Sequence, residues 1–132
     1  GRITEVAGSS DYFLGGAVTY ANAAKMDLAG VDGSTLERFG AVSEETAREM
    51  AYGVRRRFGA SIGLSVTGIA GPSGGTPAKP VGTVHIALDD KDGTRLHRKL
   101  LLPGERPLIR RWTTAQALSM LRHHLLGKES ER

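Results

Sequence analysis

Apolar positions recur along this chain at two periods, one helical and one alternating, and together they predict most of its elements. The clearest helix starts behind Ser43, whose hydroxyl can accept from a first-turn N–H, with Glu44 and Glu45 complementing the helix dipole. Ala47, Met50, Ala51, Val54 and Phe58 then fall at helical spacing, and Gly59 is the expected stop. Residues 62–67, 81–88 and 95–102 read as strands, the last two joined as a hairpin through Asp89-Asp90-Lys91-Asp92-Gly93. Pro107 suits the first turn of a final helix, whose Leu108, Trp112, Ala115, Leu118, Leu121 and Leu125 form one apolar stripe.

The first thirty residues carry a weaker pattern. Residues 1–7 read as the end of a helix, Gly8-Ser9-Ser10 as a hydroxyl cap for a short helix through Leu14, and residues 16–20 as a strand. Residues 22–28 read as a helix closed by Gly30. Helices alternating with apolar strands, plus one hairpin, predict an α/β domain of three layers, α/β/α, around a mixed sheet. Residues 1–127 form that domain, and residues 128–132 are expected to be a flexible tail.

Between the first and second of the strands 62–67, 81–88 and 95–102 lies Thr67-Gly68-Ile69-Ala70-Gly71-Pro72-Ser73-Gly74-Gly75-Thr76-Pro77-Ala78-Lys79-Pro80, which has too little apolar content to build a core. Its glycines let backbone N–H groups approach a ligand and its prolines limit the entropy lost on ordering, which favours a polar small-molecule or phosphate site over a spacer. Ends of elements also collect chemistry. Ser10 opens a predicted helix, Tyr20 ends a predicted strand, and Lys25 lies one turn into the next helix. A serine at a helix N-terminus can act as nucleophile and a desolvated lysine as its neutral base. By residue type alone, a simple cap for Ser10, a solvated helix lysine for Lys25 and a packed strand-end ring for Tyr20 remain the commoner readings.

Composition removes other classes. Eighteen Lys and Arg against 14 Asp and Glu give a formal net charge of +4, but the positive residues are scattered, which argues against a nucleic-acid surface. The densest cluster, Arg55-Arg56-Arg57, reads as a solvated helix face. There is no cysteine, and His85, His97, His123 and His124 show no spacing that sets two ligands on one face, so neither a disulfide nor a metal is expected. No apolar run reaches the length of a membrane span and no signal sequence opens the chain, so the expected location is cytoplasmic.

Several blocks in order carry a family resemblance: Gly8-Ser9-Ser10-Asp11-Tyr12-Phe13, Thr19-Tyr20-Ala21-Asn22-Ala23-Ala24-Lys25, Gly40-Ala41-Val42-Ser43-Glu44, Val66-Thr67-Gly68-Ile69-Ala70-Gly71-Pro72, Lys79-Pro80-Val81-Gly82-Thr83-Val84 and Pro103-Gly104-Glu105-Arg106. Over residues 1 to about 126 the chain resembles the C-terminal domain of the competence/damage-inducible protein CinA. That resemblance implies a nicotinamide-nucleotide amidase, a Ser/Lys hydrolase that needs no metal or organic cofactor and converts nicotinamide mononucleotide to nicotinic acid mononucleotide and ammonia. Carried over by position, it implies Ser10 as nucleophile, Lys25 as base, and Tyr20 as assistant to proton movement. Thr67 and Gly68 then fall at the substrate site and Arg106 on the substrate, with Lys79 a weaker candidate. The guanidinium of Arg106 suits a phosphate, and backbone N–H groups around Gly68 suit an oxygen.

Two departures from the family pattern qualify this. Ala21 replaces the serine usual after the tyrosine. Family members also carry a helix, a strand and a Glu-Ser-Cys-Thr-Gly-Gly turn before this point, so Gly1 corresponds to the last glycine of that turn. The resemblance therefore implies a fragment, or a chain that pairs with something filling the gap; a homo-oligomer, with a dimer favoured, and an N-terminal partner domain in the parent protein are the expected partners beside the mononucleotide. A non-catalytic interaction module linked to competence or DNA damage is the alternative function.

Overall fold

The computed structural model describes residues 1–130 as α1 (Asn22–Ala29), α2 (Gly33–Phe39), α3 (Glu44–Phe58), β1 (Ile62–Gly68), β2 (Thr83–Asp90), β3 (Arg95–Leu101) and α4 (Arg106–Ser130), preceded by a 3-10 turn, Ser9–Asp11. The strands run in the order β1-β2-β3, which makes β1 and β3 the edges. Thr67 pairs with His85 across the first interface, and Ala87 with His97 across the second.

Side chains of β2 are buried along its whole length, because helices cover both faces. Val84, Ile86 and Leu88 pack with Ile109, Ala117 and Met120 of α4. On the opposite face Ala87 meets Ala47 and Ala51 of α3, and small residues let that helix lie close. The Ser65 hydroxyl donates to the Ala47 carbonyl at 2.6 Å, and a Cβ on Gly63 would collide with the Ala51 carbonyl. Helix α1 is seated on α3 in the same way: a Cβ on Gly53 would overlap the Ala29 carbonyl, and Ala29, Val31 and Met50 form a small apolar cluster beside it. The result is the expected α/β/α sandwich.

Helix ends agree with their chemistry. Thr46 N–H donates to the Ser43 hydroxyl at 3.2 Å, and Gly59 closes α3 at φ 63°. Gly30 closes α1 at φ 67°. Helix α2, absent from the sequence reading, starts at Asp32, whose carboxylate accepts from Ser34 N–H at 3.0 Å.

Other expectations need correction. Both strand pairings among the described residues are antiparallel, so the sheet is not mixed. Residues 16–20 form no strand; Val18 is 87% and Tyr20 85% exposed, and alternation without a neighbouring strand makes no ladder. Residues 1–7 are turns rather than a helix end. Ser10 caps nothing: the cap position of its 3-10 turn is Gly8, at φ 83°. Arg55 does not lie on a solvated face but turns inward to Asp89 at 2.6 Å. The expected tail is helical through Ser130, since Lys128 is bound to Asp90 and Asp92 at 2.6 and 3.2 Å; residues 131 and 132 lie outside the described part.

Candidate active site

A cleft of about 1500 Å³ opens along the free edge of β1, between the 12–20 segment and α4. Its polarity is divided. Leu118, Leu121 and Leu125 of α4 line one part, whereas Thr67, Gly68, Arg106 and Arg110 belong to the part near the Gly-rich loop; Lys25, Phe58 and Ile62 also line the cleft. Asp11 is the one acidic residue of the lining among the described residues, set against Arg2, Lys25, Arg106 and Arg110. The cleft is therefore cationic.

Lys25 is buried, 7% exposed, and donates to the Thr19 carbonyl at 2.6 Å. Burial lowers its pKa from the ordinary lysine value, because removing water disfavours the charged form. Its helix starts at Ala21, an extended residue that offers no side-chain cap, so the departure noted in the sequence costs α1 a cap bond.

Thr67 is buried and its hydroxyl donates to the Ala41 carbonyl at 2.7 Å, tying the end of β1 to the loop before α3. Gly68 is required by close packing: a Cβ there would lie 2.9 Å from Val84 Cγ2 and 3.0 Å from the Thr83 carbonyl. Ile69 N–H donates to the Thr83 carbonyl at 2.9 Å, so by the alternation of an antiparallel ladder Gly68 directs its own N–H away from β2, toward the free edge. Arg106 opens α4 and donates through Nη1 to the Gly71 carbonyl at 3.0 Å, which holds the loop against the helix.

Not every candidate is gathered. Ser10 is exposed and stands outside the cleft lining; Lys25 makes no hydrogen bond to it among the described residues. Ser9, its neighbour, is the buried one. Tyr20 lines the cleft but its ring is solvated rather than packed. Lys79 points elsewhere, donating to the Phe39 carbonyl at 2.6 Å.

Sequence reasoning missed three groupings. Arg110, one turn beyond Arg106, shares the cleft, and the four-residue spacing behind Pro107 was the signal for it. His85 and His97, read as unrelated, approach to 2.9 Å between Nδ1 and Nε2 on the α3 face, with Glu44 3.5 Å from His97. Burial chiefly lowers both histidine pKa values. Asp90, Asp92 and His124 also bring ligand atoms within 4.8 Å of one another, but the Lys128 ammonium already supplies the positive charge there.

Three layers with a cationic cleft at the sheet edge, a Gly-rich loop on its rim and a buried lysine in its wall define a small α/β domain with an open cleft along its sheet edge. The chain belongs to the CinA C-terminal domain family, whose model matches residues 1–125. It is 52% identical over 126 residues to a CinA-like protein of Mycolicibacterium vanbaalenii, and 54% identical over 124 residues to one of Desulfosudis oleivorans. Those matches cover 96% and 94% of this chain but 30% of each relative, so the chain spans about a third of their length. The crystal structure of the competence/damage-inducible protein CihA of Agrobacterium tumefaciens superposes with a TM-score of 0.90 at 47% identity, covering 92% of this chain and 74% of that one. Competence damage-inducible protein A of Klebsiella pneumoniae gives 0.89 at 30% identity, covering 94% and 76%. No described helix is long and apolar enough to cross a membrane.

Proposed function

We propose that this domain hydrolyses the carboxamide of nicotinamide mononucleotide to nicotinic acid mononucleotide and ammonia. The observation that carries the reading is the buried Lys25, its proton loosened by desolvation, in the same cleft as Thr67, Gly68 and Arg106. Ser10 Oγ attacks the carboxamide carbon as Lys25 Nζ takes its proton, and the new oxyanion is received by backbone N–H groups such as that of Gly68. Collapse expels ammonia with that proton, and water, deprotonated by Lys25, hydrolyses the acyl-serine ester and restores Ser10. Tyr20 relays or steadies the proton, while Arg106 holds the phosphate. No metal or organic cofactor takes part in this scheme, and the location that suits pyridine-nucleotide salvage is the cytoplasm.

The scheme requires the 8–12 turn to carry Ser10 to Lys25, a contact that this structure does not make. That separation, with the open apolar part of the cleft, favours a second reading: a non-catalytic interaction module linked to competence or DNA damage. Ammonia release from nicotinamide mononucleotide by this chain separates the two. Ser10→Ala and Lys25→Ala are each expected to remove nearly all turnover with the fold intact; wild-type rates in either variant would end the Ser/Lys assignment.

A further inference from the structure

We propose that Arg110 is a second anion contact of the cleft, forming with Arg106 a two-guanidinium cradle for a phosphate monoester. The proposal deepens the mononucleotide reading above. Four residues apart on α4, Arg106 and Arg110 share one helix face and both line the cleft, whereas Arg111 does not. Of the other cleft cations, Lys25 is held by the Thr19 carbonyl and Arg106 gives one nitrogen to the Gly71 carbonyl. Arg110 holds no acceptor for its guanidinium among the described residues. A free guanidinium next to a cationic wall carries a repulsive charge that an incoming dianion relieves, and its planar fork suits two phosphate oxygens.

The adjoining loop is compatible with the same ligand. Gly68 directs an N–H outward, and Ser73 and Gly74 of the loop also line the cleft. Farther along α4 the same face turns apolar at Leu118, Leu121 and Leu125, which offers an anion no partner beyond the first turns of the helix. A phosphate monoester is thereby distinguished from its uncharged nucleoside.

Ribose 5-phosphate tests this independently of catalysis, since it contains no amide. In calorimetric titrations of the chain at low salt, Arg110→Ala and Arg106→Ala are each expected to weaken its binding about 10-fold or more, the loss typical of one charge-assisted contact. Arg111→Ala should leave binding unchanged, and Arg110→Lys should restore part of it. Inorganic phosphate should compete, and ribose should not. Wild-type affinity in Arg110→Ala, or equal binding of ribose and ribose 5-phosphate by the unaltered chain, would overturn the proposal; failure of the amidase reading would appear separately, as absent ammonia release by an unaltered chain that still binds ribose 5-phosphate.

Discussion

Replacing Asp90 by asparagine removes the charge at the centre of the clamp that fastens the end of α4 to the β2–β3 hairpin. Its side chain is fully buried, with His124 Nε2 at 2.7 Å, Lys128 Nζ at 2.6 Å and the Asp92 N–H donating at 3.0 Å. Burial pushes the carboxyl pKa up, but the bonds from His124, Lys128 and Asp92 and the Lys128 charge outweigh it and hold the group at about 2, from an ordinary 3.8. A shift of about 1.8 units corresponds to roughly 2.5 kcal/mol of stability. Because the folded pKa is the lower one, that contribution is fully present above the unfolded value near 3.8 and is lost as pH falls through about 2. Asp90→Asn is therefore expected to lose about 2 to 3 kcal/mol at pH 7, a fall of very roughly 10 °C in melting temperature for a domain of this size. It should also flatten the decline in stability between about pH 4 and 2. Urea unfolding followed by circular dichroism at pH 7, 4 and 2.5 measures both. An asparagine variant as stable as the parent at pH 7, with an unchanged acid limb, would refute the clamp.

Three further outcomes are expected. Arg106→Ala should raise KM for nicotinamide mononucleotide with little change in kcat, and leave nicotinamide riboside unaffected; equal losses for both substrates would exclude phosphate recognition. Ala21→Ser should stabilise the domain by about 0.5 to 2 kcal/mol by supplying α1 with its missing cap, read from denaturant midpoints, and no gain would mean that the serine hydroxyl does not reach the α1 N–H groups. The outward backbone groups of β1 and the apolar part of the cleft should drive self-association of this chain, with a dimer favoured; sedimentation showing a monomer across the concentrations used would refute that.

What the sequence made legible is what local chemistry decides. Ser43 with Gly59, and Gly30, marked helix ends because capping is settled within a turn. Asp32 and Ser34 carried the same kind of signal for α2 and went unread, since only Leu36 marks its apolar side. Residues 16–20 alternate like a strand, yet the backbone there has no neighbour with which to build a ladder. Arg55 inside a run of three arginines looks solvated until the sheet places Asp89 beneath it. His85 and His97 meet only through the β2–β3 register, which the hairpin turn sets and no spacing in the chain records. The same limit governs the site: Lys25 was nameable through family resemblance, but its burial depends on tertiary packing, and the distance from Ser10 depends on a turn that carries no cap.

Gly53 lies in the middle of α3, where glycine weakens a helix by about 1 kcal/mol relative to alanine. Its missing side chain is the socket into which the end of α1 fits, at the Ala29 carbonyl. Lys25 stands one turn earlier on α1, so the position of the candidate base is set by an empty space on a different helix. Any side chain at 53 would lever α1 off its bed and carry the amine with it, and loss of function there would look like a chemical defect although no reacting group had been touched.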